Sequence, residues 1–465
     1  MLLTLDNLFL ESCGIAFASG LSDTGKIVTY NQEKEFIVIA IPYIDDNNKL
    51  LFMTYDLDYH FLSLEIGEID RKNRIKIMNR NFNGDIYIFQ SNLKNLTNRY
   101  LDYYLDYYNE KVVIDDHISR ELIKTILVIL RYIYDNRMIM CLKLEEGKIS
   151  FESEGLEKQE IWMQTIHKMI DVNSWTNLFS KEAVKKIYPN DLTVLPPDIR
   201  PDINNDYIVI QITLGCFSKD LRGKSCGFCT SYENRKYQIC DYDYIDNQIV
   251  NLMTEYPQKI KRAKKVFLAD GDALSRKDAY KCMNFIKDRL NKKVEFESFM
   301  STYTILNMSE EEWINLKCSG LNSVYWGVES ACDRTLQLID KPHRENMLFD
   351  AKRILEKNNI DYYIIIMAGI GSIHLRKSIL VNNSHLDKTS YFINHSQCIG
   401  VYISKFHLSK GSTLEHLANS GDLVMASEEE INDEYRMLIK RISTTIKGSY
   451  GNQFVVKSNN NSEIL

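Results

Sequence analysis

The sequence predicts an α/β protein in which a partial (β/α)6 TIM-like barrel, residues 196–465, follows a separate α+β N-terminal domain, residues 1–195. Three observations predict it. In the second half, six short apolar runs alternate with helical patterns, the rhythm of parallel strands joined by crossover helices. From Lys26 to about Gln90, apolar and polar residues alternate between turn signals such as DDNN at 45–48, the pattern of antiparallel strands. Between the halves, LTVLPPDIRPD (192–202) holds three of the seven prolines, and proline pairs favour extended linkers.

The six strand candidates are YIVIQIT (207–213), KVFLADG (265–271), VEFESFM (294–300), SVYWGVE (323–329), DYYIIIMAG (361–369) and IGVYISKF (399–406). Amphipathic stretches such as RKDAYKCMNFIKDRL (276–290) lie between them. A barrel of this kind carries its reactive groups at the C-terminal ends of its strands. In the first half, a helical stretch from Leu93 to Tyr134 breaks near Lys111. A hairpin at CLKLEEGKISFE and more helix from Lys158 to Lys186 follow. The segment from Ile118 to Leu142 reads as an amphipathic core helix that breaks near Asp135-Asn136. The run RYLDYYLDYYNE (99–110) fits a helix with one aromatic face in a core better than a platform for stacked bases.

At 465 residues, two domains are the natural division. Net charge is -6, from 57 basic and 63 acidic side chains, so nothing drives the chain toward nucleic acid or an anionic membrane. The N-terminus lacks a basic region before its apolar residues, and no apolar stretch reaches spanning length, which points to the cytoplasm. Ten cysteines without a secretory signal do not suggest a disulfide framework. Seven are scattered (Cys13, Cys141, Cys240, Cys282, Cys318, Cys332 and Cys398), and small buried hydrophobes are their ordinary role.

Three are clustered just after the first barrel strand, as C-F-S-K-D-L-R-G-K-S-C-G-F-C: Cys216, Cys226 and Cys229. Thiolates suit zinc or iron–sulfur clusters. A structural zinc site takes four protein ligands, and Cys240 is the one candidate for a fourth. Three ligands on a four-iron cluster leave one iron open to a substrate-like molecule.

This cluster, its position after the first β/α strand and the aromatic Phe228 before its last cysteine resemble the radical S-adenosylmethionine (SAM) superfamily. There the usual spacing is C-x3-C-x2-C; here it is C-x9-C-x2-C. Further segments match at strand ends. Ala269-Asp270-Gly271-Asp272 stands where the superfamily binds the methionyl amino group, with Asp272 as the carboxylate partner. Glu329 and Ser330 resemble a G-x-E-S element that contacts the cofactor. Gly369 and Gly371 resemble a glycine motif that admits the adenine. The phrases TLGC (213–216), VFLADGDAL (266–274) and SKGSTL (409–414) resemble a subgroup often labelled coproporphyrinogen-oxidase-like. Ala331-Cys332 departs from that subgroup's usual glycine, and Thr413 from its usual proline.

The resemblance implies a [4Fe–4S] cluster and SAM as cofactors. One electron then cleaves SAM to methionine and a 5′-deoxyadenosyl radical, which abstracts hydrogen from a substrate. It further implies a reductase partner such as a flavodoxin or ferredoxin. The expected substrate is a precursor peptide, recognised by residues 1–195, with a small metabolite as the alternative. Cys332 and Cys398, near predicted strand ends, are candidate hydrogen donors to a substrate radical. A zinc-binding module that is not an enzyme, and a degenerate barrel serving as a scaffold, are the competing classes.

Overall fold

We describe a computed structural model of the chain. It describes residues 206–376 and 384–442 without a break; elsewhere it describes the strands and helices named below and scattered residues between 56 and 196. The chain divides into two compact units, the first made of residues 1–191, 200–205 and 250–262, the second of 192–199, 206–249 and 263–465.

In the first unit, β1 (Ile27–Asn31), β2 (Phe36–Pro42), β3 (Leu50–Tyr55), β4 (Phe61–Gly67), β5 (Ile75–Arg80), β6 (Ile86–Phe89) and β7 (Lys111–Val113) form a seven-stranded antiparallel meander. The expected break near Lys111 is thus a strand. The predicted hairpin forms between β8 (Cys141–Glu145) and β9 (Lys148–Glu152), followed by helices Leu156–Val172 and Lys181–Ile187. The tyrosine-rich run lies outside the described residues, as does most of the helix expected from Ile118.

Residues 250–262 come from the second half of the sequence yet group with the first unit. Asp58 explains part of this: its carboxylate accepts from the amides of Gln258 (2.8 Å) and Lys259 (3.1 Å), at the start of the helix Pro257–Arg262. An acceptor there satisfies amides that have no partner within the helix. The His60 ring packs on Tyr256 at 4.4 Å.

The second unit is built on one eight-stranded sheet. Its first six strands are parallel neighbours: β10 (Tyr207–Gln211), β13 (Lys265–Ala269), β14 (Glu295–Met300), β15 (Leu321–Glu329), β16 (Asp361–Ala368) and β18 (Gly400–Lys405). They coincide with the six predicted runs; two short antiparallel pairs, β11 (Thr213–Leu214) with β12 (Gln238–Ile239) and β17 (His374–Leu375) with β19 (Leu423–Val424), lie outside this sheet. An antiparallel hairpin, β20 (Thr445–Tyr450) and β21 (Gln453–Lys457), adds to the β18 edge. β10 and β20 are the two ends of the sheet, which stays open as a partial barrel.

Alternation along the strands separates two layers. On one face Phe267, Phe299, Tyr325, Tyr363 and Tyr402 interlock, with Tyr325 and Tyr363 stacked at 4.6 Å. On the other, Trp326 meets Phe392 of the helix Ser384–Asn394, which meets Phe349 of the helix Glu345–Lys357. Large rings on both faces fix the register, because a one-residue slip would exchange the two sets.

Candidate active site at the strand ends

Gly215 turns the chain out of the first strand with a φ of 80°, and a Cβ there would stand 2.7 Å from the Lys236 carbonyl oxygen. Only glycine fits. Cys216 follows directly as N-cap of the helix Phe217–Arg222. The Cys226–Cys229 segment is pinned from two sides, the Gly227 amide donating to the Ile339 carbonyl (2.8 Å) and its own carbonyl accepting from the Leu414 amide (2.9 Å).

Each of the three thiols lies within electrostatic reach of the other two. Burial pushes Cys216 up to about 11. Burial also raises Cys226, against the pull of Lys341 and Arg222 toward the thiolate. Among the described residues, no three His, Cys, Asp or Glu side chains gather closely enough for one metal ion. Cys240, the candidate fourth ligand, is buried instead among Arg276, Asp270, Asp241 and Cys282. Among the described residues no fourth thiol joins the three, an arrangement that suits a cluster with one open iron.

Beside them, Asp272 is buried, and its carboxylate accepts from the Ser301 amide (3.3 Å) and the Thr304 hydroxyl (2.7 Å). No lysine or arginine among the described residues pairs with it, and burial raises its pKa. Tyr232 does lack a partner: among the described residues nothing bonds to its buried hydroxyl, and its ring lies across Gly271, 2.9 Å from where a Cβ would be. A buried carboxylate lacking a cation and a phenol lacking an acceptor are costly unless a polar ligand completes them.

Glu329 closes β15 at a register shift, with a φ of 62°. Its carboxylate folds back over Gly327 and pairs with Lys341 at 2.8 Å. The Lys341 ammonium sits 5.7 Å from the centre of the Phe228 ring, within cation–π range. Burial opposes the charge on Lys341, but Glu329 and the neighbouring thiols outweigh it and hold the ammonium above its ordinary pKa.

Four expected site residues take other positions. Asp270 clamps the framework, its carboxylate accepting from the Gly215 amide (3.1 Å) and the Arg235 guanidinium (2.9 Å). The Ser330 hydroxyl is buried, bonded to His385 (2.8 Å) and the Cys332 amide (3.0 Å). Cys398 precedes β18 and so stands at the opposite end of the sheet from the cysteine cluster, where burial pushes its thiol up to about 12. Proximity to a strand end pointed to it, but the wrong end. Cys332 is at the correct end, yet its sulfur is turned to the Ser384 hydroxyl at 3.0 Å. Burial pushes that thiol up, but bonds from Ser384 and Thr335 outweigh burial and leave it below the ordinary range.

Sequence reasoning missed Glu434, from the helix Glu428–Arg441. It accepts from the amides of Gly369 (2.6 Å) and Gly371 (3.1 Å) and from the Ser372 hydroxyl (2.9 Å). His385 Nε2 approaches it at 3.3 Å without the alignment of a hydrogen bond. Gly369 has a φ of 92°, and a Cβ there would collide with Ile431 at 2.7 Å. The close approach these glycines permit is therefore by the chain's own C-terminal helix. Glu434→Ala is expected to orphan two backbone amides and lower unfolding stability by about 2–4 kcal/mol, checked by urea denaturation of the cofactor-free protein.

Three thiols thus stand past the exit of the first strand of an open parallel sheet, with Asp272 and Glu329 at neighbouring strand exits. The family model of the radical SAM superfamily matches residues 210–373. The match covers 164 of the 465 residues and includes all three clustered cysteines.

No curated protein matches the sequence. Among solved structures, the chain is similar to the cobalamin-dependent SAM radical enzyme OxsB, at 12% identity and a TM-score of 0.33 over 64% of this chain and 36% of that one. Methylornithine synthase (PylB) matches at 11% and 0.36 over 51% and 61%. Coproporphyrinogen III oxidase (HemN) from Escherichia coli matches at 13% and 0.38 over 55% of each chain. The chain thus spans less than two thirds of the length of each of these three. No helix among the described residues is long and apolar enough to cross a membrane.

Proposed function

We propose that Cys216, Cys226 and Cys229 hold the cluster, and that the chain cleaves SAM reductively to abstract hydrogen from a peptide substrate. The observation that carries this reading is the pairing of three thiols lacking a fourth with a buried carboxylate, Asp272, lacking a cation. When bound, the cluster supplies the electron that splits SAM into methionine and a 5′-deoxyadenosyl radical.

The chain's own residues do the positioning. Asp272 receives the methionyl ammonium, which supplies the missing cation in a charge-assisted bond. The Tyr232 hydroxyl, with no partner among the described residues, is a donor left over for the cofactor. Lys341 and Glu329 balance each other's charge next to Phe228, and Lys341 offsets the negative charge of the cluster thiolates. The aromatic layer of Phe267, Phe299, Tyr325, Tyr363 and Tyr402 lines one face of the sheet with apolar rings.

Peptide substrates are favoured because the barrel unit holds the elements of SAM cleavage by itself, leaving the N-terminal unit available for recognition. An electron donor of the flavodoxin or ferredoxin type would serve the cluster. The test is anaerobic reconstitution followed by a 5′-deoxyadenosine assay with dithionite and SAM. A brown protein that forms 5′-deoxyadenosine is the expected result. A colourless, zinc-loaded protein that forms none would sink the proposal. Deleting residues 1–195 is expected to spare SAM cleavage without substrate but abolish turnover of substrate; unchanged turnover would refute the recognition role.

A further inference from the structure

The nine residues between Cys216 and Cys226 are organised, not slack. Six of them form the helix Phe217–Arg222, closed by Gly223 at a φ of 68°. Lys219 on this helix donates to the carbonyls of Tyr232 and Glu233, both at 2.5 Å. Phe217 packs against Tyr237 at 5.2 Å. At the last position, Arg222 Nη1 donates to the Asp340 carbonyl (2.9 Å), and Nη2 points at the Cys226 sulfur, 3.6 Å away. Nε donates to the Ser218 carbonyl at 3.3 Å, so all three nitrogens of the planar guanidinium are held.

We propose that Arg222, carried on the helix between the first two cysteines, is a tuning residue that donates a hydrogen bond to the Cys226 sulfur and raises the reduction potential of the cluster. This rests on Cys226 being a cluster ligand. A donor to a thiolate sulfur stabilises the more electron-rich, reduced state, which is how hydrogen bonds and charge around cluster sulfurs set potentials. A gap of three residues has no room for a helical turn and cannot return a side chain to the second cysteine; a gap of nine does both. The helix also fixes the guanidinium in place, so little side-chain entropy is lost in making the bond. Lys224 is the natural comparison: it is close by and pairs with Asp340 at 2.8 Å, but no bond joins it to a sulfur.

The experiment measures the midpoint potential of the reconstituted cluster by spectroelectrochemistry in the full chain, with iron content and circular dichroism alongside. Arg222→Gln is expected to lower the reduced-to-oxidised ratio at a fixed potential about tenfold, a shift of about 59 mV to the negative for one electron. Arg222→Met, which keeps the apolar stem, provides the same reading if the glutamine variant folds poorly. Lys224→Gln is expected to leave the potential unchanged. Full iron content with an unmoved potential in the Arg222 variants overturns the inference, as does an equal shift in Lys224→Gln. Failure of the wild-type protein to take up iron overturns instead the assignment of Cys226 as a ligand.

Discussion

Cys226→Ala is expected to strip the protein of most of its iron and reduce 5′-deoxyadenosine formation by more than about 100-fold. Loss of a supporting residue around a metal centre costs 10–100-fold, and loss of a thiolate bonded to iron costs more. The effect should be equally severe at Cys216 and Cys229, since each thiol is within reach of the other two and no fourth replaces a missing one. Cys240→Ala is the informative partner. Its thiol lies with Arg276 and Cys282, so iron content and SAM cleavage should survive its removal. Iron analysis and product quantification on the four variants check this. If Cys240→Ala instead empties the site, a four-thiolate zinc module is the better description.

Asp272→Asn is expected to act in two opposite directions. The dissociation constant for SAM should rise about 10- to 150-fold, the worth of a charge-assisted bond of about 1.5–3 kcal/mol. Without SAM, the same variant should unfold at a higher temperature than wild type. Burial raises the Asp272 pKa, so the folded state disfavours the carboxylate that neutral pH imposes. The sign follows: above the unfolded value of about 3.9 the aspartate makes folding less favourable, and acidifying toward that value relieves the penalty. Asparagine carries no charge, so this contribution to the pH dependence of stability should vanish. Isothermal titration with SAM and melting curves across pH measure both. A variant that lost stability without SAM while binding it normally would mark Asp272 as framework rather than ligand site. The buried charge would then be a cost to the empty protein that its ligand offsets, the usual trade between stability and function.

The six parallel strands of the second unit were legible because each announces itself, whereas the hairpin of β20 and β21 was not read from the sequence. Runs such as Ile364-Ile365-Ile366 and Val401-Tyr402-Ile403 are buried on the helix-covered face and wholly or half-buried on the other, and near-continuous apolar sequence is what such strands require. The cysteine motif was legible for a similar reason: ligands supplied by one loop are local in sequence. Lys341, Tyr232 and Glu434 were not. Each acts through a contact made by folding, as when Glu434 reaches back 65 residues to the Gly369 amide, and no short pattern encodes a separation of that length. The same limit explains Asp270 and Ser330. Their places in motifs pointed to ligand contact, but only the folded chain shows Arg235 and His385 beside them. Cys398 immediately precedes the run predicted as the sixth strand, so the sequence already placed it at the N-terminal end, away from the reactive rim.

The Glu434 clamp has a consequence for the order in which the protein is made. The three cysteines leave the ribosome about two hundred residues before the helix Glu428–Arg441 does. At synthesis rates of 5–20 residues per second, that is roughly 10–40 s. Throughout that interval the loop at Gly369 and Gly371, once made, lacks the carboxylate that fixes it, and the neighbouring strand ends have no finished wall. With Cys216, Cys226 and Cys229 as the proposed ligands, cluster assembly is expected to follow translation rather than accompany it. A nascent chain halted before residue 428 should capture cluster far less well than one released at its full length.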